Sequence, residues 1–317
     1  MGLLRTLAFG AAGYGALALL GRTLTQRREN LSLGEAPLPG RLTNVDGVDL
    51  HYLEDGAGPA ALLIHGLGGN TFSFRETIPA LAPRFRTVAV DLPGFGYSDR
   101  TPEHDYSLDG HARLLARFMD QQGLKPALVL GHSMGGGVAM RLAALYPDYV
   151  DRLLLVASMR PNDLRRGGPL RHLLRPFFPL LGVAQAVVGP VSRTMMRRMV
   201  YDPAFVTPAV LAGYQGPRSL RGSSAALRRQ LTDTARDVAI DPRTLRVPTL
   251  LLWGEADRVA PLSTGEALLE QIPEARLEVI PRAGHLLLEE QPSAANAALL
   301  RWLEETEAVR RGGTAPA

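Results

Sequence analysis

Six short apolar runs constrain this chain more than any other feature: ALLIH at 61–65, TVAVD at 87–91, ALVLG at 127–131, RLLLVA at 152–157, TLLLW at 249–253 and RLEVI at 276–280. A run without polar alternation has no face to turn toward water, so such strands must be covered on both sides, as in a parallel sheet. Helix-like stretches separate most of them, at 106–122, 134–146, 263–271 and 292–308. The alternation predicts an α/β fold with a doubly wound, mostly parallel sheet and right-handed crossovers. Upstream, RLTNVDGVDLHYLE at 41–54 alternates around Asp46-Gly47, the pattern of two antiparallel strands joined by a tight turn. From Met159 to Asp241 no strand signal occurs, and Leu, Phe, Arg, Pro and Gly fall in short helical pieces. That stretch reads as a helical cap inserted above the sheet, at 159–241, with the core made of 41–158 and 242–308.

Composition narrows the chemistry. With 317 residues, 46% hydrophobic and 21% charged, the chain can bury a sizeable core. It has no Cys, which excludes disulfides, thiolate zinc sites and a cysteine nucleophile. The net charge is +4 and Lys125 is the only lysine. No Lys/Arg run is interleaved with aromatics, so a nucleic-acid partner is not expected and an anionic membrane surface is at least as good a reason for the basic excess.

Residues 1–29 bear on that point. Between Arg5 and Arg22 lies the uncharged segment TLAFGAAGYGALALLG, which as a helix would reach roughly 24 Å at ~1.5 Å per residue. A single N-terminal membrane anchor or transmembrane helix is the leading expectation, with snorkelling arginines making up the length. A cleaved signal peptide ending near Ala16-Leu17-Ala18 is the alternative, and would make the protein secreted or periplasmic. Arg22, Arg27 and Arg28 follow the segment, which favours a cytoplasmic catalytic domain. Residues 30–40, with two Pro and two Gly, read as a linker.

Ligands of open α/β sheets bind at the carboxyl ends of the strands. After ALVLG comes Gly131-His132-Ser133-Met134-Gly135-Gly136-Gly137, leading straight into VAMRLAALYP. A serine on a tight strand-to-helix turn adopts strained backbone angles, so the residues two before and two after it must be tiny, as Gly131 and Gly135 are. The helix then points its amino end at the site, and the Met134 N–H is placed to receive a developing oxyanion. A serine hydroxyl needs a base, and the base an orienting carboxylate.

With these residues the chain resembles the α/β-hydrolase superfamily from Arg41 to Glu307. After ALLIH, His65-Gly66-Leu67-Gly68-Gly69 resembles the family's oxyanion loop. The resemblance implies an oxyanion hole formed by the Leu67 and Met134 amides, with His65 as a structural pin. Asp91 to Asp99, DLPGFGYSD, resembles the loop after the next strand and carries no assigned chemistry. The family places its acid at Asp257 in WGEADRV, with Glu255 and then Asp163 as lesser candidates, and the only histidine after that acid is His285. The implied triad is Ser133, Asp257 and His285, in this fold's order. His132 stands too near the serine along the backbone to act as its base. His51, His104, His111 and His172 read as solvated or structural. No metal site or cofactor is expected.

Relatives that cleave haloalkanes or epoxides use an aspartate at this turn, so Ser133 argues against both. Ester hydrolysis through an acyl-enzyme ranks first. Thioester hydrolysis and carbon–carbon hydrolysis of the meta-cleavage type remain as alternatives, the latter for the Ser-Met-Gly-Gly run, and a non-enzymatic binding protein is a distant one. The apolar run LLRPFFPLLGVAQAVVGPV at 173–191, followed by Met195, Met196 and Met199, suits an acyl chain. Gly66, Gly68, His132, Phe177 and Phe178 are the expected substrate contacts, and the layout is similar to membrane-anchored monoacylglycerol lipases. The expected partner is a small ester or lipid. The sequence does not specify an oligomeric state.

Overall fold

The apolar runs become a single sheet whose two faces are both covered. The computed structural model describes residues 21, 23–36, 38–161 and 193–310. Its strands are β1 (Arg41–Val45), β2 (Val48–Asp55), β3 (Ala60–Ile64), β4 (Arg86–Val90), β5 (Ala127–His132), β6 (Val150–Val156), β7 (Thr249–Gly254) and β8 (Ala275–Ile280). They lie in the order β1-β2-β4-β3-β5-β6-β7-β8. β1 and β2 pair antiparallel, as do β2 and β4, and every other pair is parallel. Asp46 and Gly47 both take positive φ, 50° and 84°, which is the two-residue turn whose twist matches a hairpin.

Alternate side chains of each strand enter opposite layers, which is why the runs are apolar at every position. On one side Leu62, Val88, Val129, Leu153 and Leu251 pack under α1 (Leu108–Gln122) and α2 (Met134–Leu145). On the other, Leu63, Ala89, Leu130, Leu154 and Leu252 meet the last helix, which contributes Leu299, Trp302 and Leu303. Edge strand β8 is half-exposed, and its Arg276 and Glu278 form ion pairs on the open side, an arrangement that keeps an edge from pairing with another sheet.

Between β6 and β7 the described residues hold α3 (Arg193–Met199), α4 (Pro208–Gln215) and α5 (Ser223–Asp233). After β7 come α6 (Leu262–Leu269) and α7 (Pro292–Arg310). Buried Arg141 of α2 ties the core to the end of the insertion: its Nε donates to Asp109 at 2.8 Å, and its Nη2 reaches the Pro161 carbonyl at 2.8 Å and Asp237 at 3.8 Å. The segment read as a linker is docked on the insertion. Leu31 forms a bridge with Leu220, and the two oxygens of Glu29 accept from the Gly222 and Ser224 amides at 3.0 and 2.7 Å.

One expectation is corrected. No helix among the described residues is long and apolar enough to cross a membrane, which overturns the transmembrane helix. Length and charge are the physical reason among those helices: the longest, Pro292–Arg310, has 19 residues and carries Arg and Glu, which a hydrocarbon core does not accommodate. Apart from Gly21, the segment TLAFGAAGYGALALLG itself lies outside the described residues.

Candidate active site

The elbow forms because two glycines let three backbones crowd. Ser133 sits between β5 and α2 at φ 53° and ψ −116°, a region unfavourable to any residue with a Cβ. Its N–H donates to the Val156 carbonyl at 2.9 Å, and its own carbonyl accepts from Gly136 and Met159 at 3.0 and 3.1 Å. A Cβ on Gly131 would lie 2.4 Å from the Gly135 carbonyl oxygen, and one on Gly135 would lie 2.2 Å from that of Ile64. Neither position admits a larger residue without shifting backbone, which holds the strained turn in place.

Three side chains from separate loops meet there. His285 Nε2 is 3.0 Å from Ser133 Oγ, and His285 Nδ1 is 2.8 Å from Asp257 Oδ2. Asp257, on the turn after β7, turns its other oxygen to the Val259 and Ala260 amides, 2.8 and 2.9 Å away. Both the acid and the histidine are buried. Glu255 instead accepts from the Arg282 amide on the surface, and Asp163 lies outside the described residues.

The loop of His285 is held from several sides. Its N–H donates to the Met199 carbonyl of α3 at 2.7 Å, and the flanking Gly284 and Leu286 amides donate to Glu290 Oε1 at 3.0 and 3.2 Å. His132 Nε2 donates to the His285 carbonyl at 2.9 Å. Burial, with the neighbouring His285 ring, pushes the His132 pKa down to about 3, so it holds this bond as a neutral ring. His132 borders the site cavity, but its distal nitrogen serves the histidine loop.

The loop from His65 to Gly69 lies against the elbow. Gly66 packs so near that an added Cβ would come within 2.9 Å of the Ser133 Cβ. Among the described residues neither the Leu67 nor the Met134 amide has an acceptor, and Met134 opens α2, where an N–H has no intrahelical partner. His65 is buried and pins the loop: Nδ1 donates to the Gly66 carbonyl at 2.8 Å and Nε2 accepts from the Leu92 amide at 3.0 Å. Gly68, at φ 71°, presents its carbonyl to Arg218 Nη2 of the insertion at 2.6 Å.

Behind the loop, DLPGFGYSD wraps the buried Asp91 carboxylate, which accepts from the Thr71 and Tyr97 amides at 2.6 and 2.8 Å and pairs with His51 at 2.7 Å. Burial alone would lower the His51 pKa, but the Asp91 carboxylate outweighs it and raises the net value. His104 and His111 are buried as well, joined at 3.2 Å, and His111 bonds Gln230 of α5 at 2.6 Å. All three are therefore structural and unsolvated, while His172, Phe177 and Phe178 lie outside the described residues. Arg218 and Tyr214 escaped the sequence reading because their partners stand far away along the chain, and Glu290 and the Asp91 brace because a carboxylate carries no local mark of the backbone amides it gathers.

The cavity over Ser133 is walled by Leu67, Met196, Met199, Tyr214 and Leu286. No group of three or more His, Cys, Asp or Glu suited to a metal ion occurs among the described residues.

Residues 59–292 match the family described as alpha/beta hydrolase fold. An uncharacterized hydrolase, YugF, of Bacillus subtilis is 29% identical over 267 residues, 81% of this chain and 95% of that protein. Haloalkane dehalogenase 2 of Mycobacterium tuberculosis is 32% identical over 266 residues, 79% and 90% of the two chains. The meta-cleavage product hydrolase of Pseudomonas fluorescens IP01 superposes with a TM-score of 0.70 at 28% identity, over 84% of this chain and 98% of its own. Sheet order, serine elbow and these likenesses agree, and the chain belongs to the alpha/beta hydrolase fold family.

Proposed function

We propose that this hydrolase cleaves carboxylic esters through an acyl-enzyme on Ser133. The observation that carries the reading is the relay of Ser133 Oγ, His285 Nε2 and Asp257 Oδ2 at 3.0 and 2.8 Å. His285 takes the Ser133 proton as Oγ adds to the ester carbonyl, and the Leu67 and Met134 amides receive the oxyanion. Collapse expels the alcohol, which leaves with the proton from His285 Nε2. Water then repeats the sequence on the acyl-enzyme, releasing the acid and restoring the Ser133 hydroxyl. Asp257 keeps the imidazole in the tautomer that accepts at Nε2 and stabilises the imidazolium.

The apolar walls Leu67, Met196, Met199 and Leu286 favour an acyl chain over a charged group beside the serine, which supports esters of the acylglycerol type. A second reading, carbon–carbon hydrolysis, draws on the likeness to the meta-cleavage product hydrolase. The same serine would serve it, so the substrate decides. Dehalogenation, the activity in the name of one relative, needs a carboxylate where this chain carries Ser133.

A fluorophosphonate probe is expected to label Ser133, and Ser133→Ala to lose both labelling and turnover of 4-nitrophenyl esters. Full turnover by purified Ser133→Ala overturns the reading. Faster cleavage of a vinylogous diketone than of any ester selects the second one.

A further inference from the structure

A second cavity lies beside the loop of Gly68 and Gly69 and shares Gly68, Gly69 and Tyr214 with the cavity over Ser133. Two arginines face it, Arg100 from the loop after β4 and Arg218 from the insertion. Arg100 Nη2 donates to the Gly96 and Pro217 carbonyls at 2.6 and 3.1 Å, Nη1 to the Ser98 carbonyl, and Nε to Ser223 Oγ at 3.1 Å. Among the described residues Arg218 makes one bond, from Nη2 to the Gly68 carbonyl, and its buried Nη1 has no acceptor. Neither guanidinium pairs with a carboxylate among the described residues. Burial pushes both pKa values down to about 10, so both stay charged at neutral pH.

A buried cation without a counter-ion is costly, and a buried donor without an acceptor adds to that cost. Among the described residues on the wall the one acidic side chain is Glu29, and both its oxygens are engaged by the Gly222 and Ser224 amides. Arg100 is drawn by the carboxylates of Asp91, Glu29 and Asp99, which hold its pKa up against burial, whereas no carboxylate among the described residues acts on Arg218, so a negative charge beside Arg218 completes the pairing. The apolar side chains of Phe95 and Leu227 border the same space and suit the carbon chain of an organic acid.

We infer that the cavity lined by Arg100 and Arg218 binds a carboxylate, held by the two guanidiniums. A carboxylate is planar and matches the guanidinium fork. It comes either from the far end of the substrate, reaching past Gly68 and Gly69 from an ester carbonyl at Ser133, or from a free carboxylic acid. The first source rests on the ester-hydrolase reading, and the second does not. In either case the ligand acts next to Leu67, because Arg218 also holds the Gly68 carbonyl.

The test uses the full chain. Calorimetry on the Ser133→Ala protein measures succinate, with the uncharged succinamide and inorganic phosphate as controls. Succinate is expected to bind, succinamide not to bind, and phosphate to bind more weakly. Arg218→Gln should weaken succinate by about tenfold or more, roughly 1.4 kcal/mol per decade. Ser224→Asp, which places a carboxylate on the cavity wall near the start of α5 where a helix tolerates it, should abolish binding even if Arg218→Gln fails to fold.

Turnover then separates the sources. If the substrate supplies the carboxylate, 4-nitrophenyl hydrogen succinate exceeds 4-nitrophenyl butyrate in kcat/KM, and that ratio collapses in Arg218→Gln. If succinate binds but the ratio is unchanged, a free acid is the ligand. A wild-type cavity that does not take up succinate, or uptake untouched by both substitutions, overturns the inference. Absence of all ester turnover alongside intact succinate binding would instead overturn the ester reading and leave the cavity site standing.

Discussion

At the scale of single residues, the site depends on groups whose bonding leaves one arrangement open. Asp257 spends one oxygen on His285 and the other on two backbone amides, so an amide in its place must turn an N–H toward one set or the other. Asp257→Asn is expected to lower kcat by about 10⁴ with little change in fold, because the imidazole then takes the wrong tautomer. Glu255→Gln should stay near wild type, since Glu255 bonds only the Arg282 amide. Initial rates on a 4-nitrophenyl ester check both, and an unaffected Asp257→Asn would remove the acid from this loop. Ser133, Asp257 and His285 were legible in the sequence because each stands in a short motif with its own glycines. Arg218 and Glu290 were not, because an arginine in GPRS or a glutamate in LLLEEQP has no local mark of a partner 150 residues away or of the amides it gathers.

At the scale of elements, the strands and main helices follow the sequence signals to within a residue or two at most boundaries, since each obeys a local rule. The α1 helix begins where Ser107 accepts from the Gly110 amide at 2.9 Å and ends at Gly123 in the left-handed region at φ 63°. Ser107→Ala leaves that amide without its cap and is expected to cost about 1 kcal/mol, read as a lower midpoint in urea with an unchanged slope. An unchanged midpoint would mean that the packing of α1 supplies the stability without the cap. For the stretch Asn30 to Gly40 the Pro and Gly content reports only the lack of regular structure. It carries no sign that Leu31 would lie along Leu220 or that Glu29 would bind the start of α5.

At the scale of the whole molecule, the insertion and the core are joined by buried polar groups, and these make stability depend on pH. Asp237, at the end of the insertion, accepts from the Asp109 amide at 3.0 Å with one oxygen, while its other oxygen has no hydrogen-bond partner among the described residues. Burial, only partly offset by Arg141, raises its pKa from an ordinary 3.8 to about 6. The folded protein thus holds this proton more tightly than the unfolded chain, so its contribution to stability falls as pH rises from about 4 to about 6. Asp237→Asn should remove that part of the decline, seen as a flatter dependence of the unfolding free energy on pH across the same window. An identical slope in both proteins would show that Asp237 keeps an ordinary pKa. The sequence by itself determined the sheet, the serine elbow and the order of the triad, because hydrophobic period and glycine spacing act over a few residues. Only the tertiary structure decided which charges are buried together, what Arg218 and Glu29 face, and how the insertion holds the histidine loop, because burial and pairing belong to groups that the chain brings together only once it has folded.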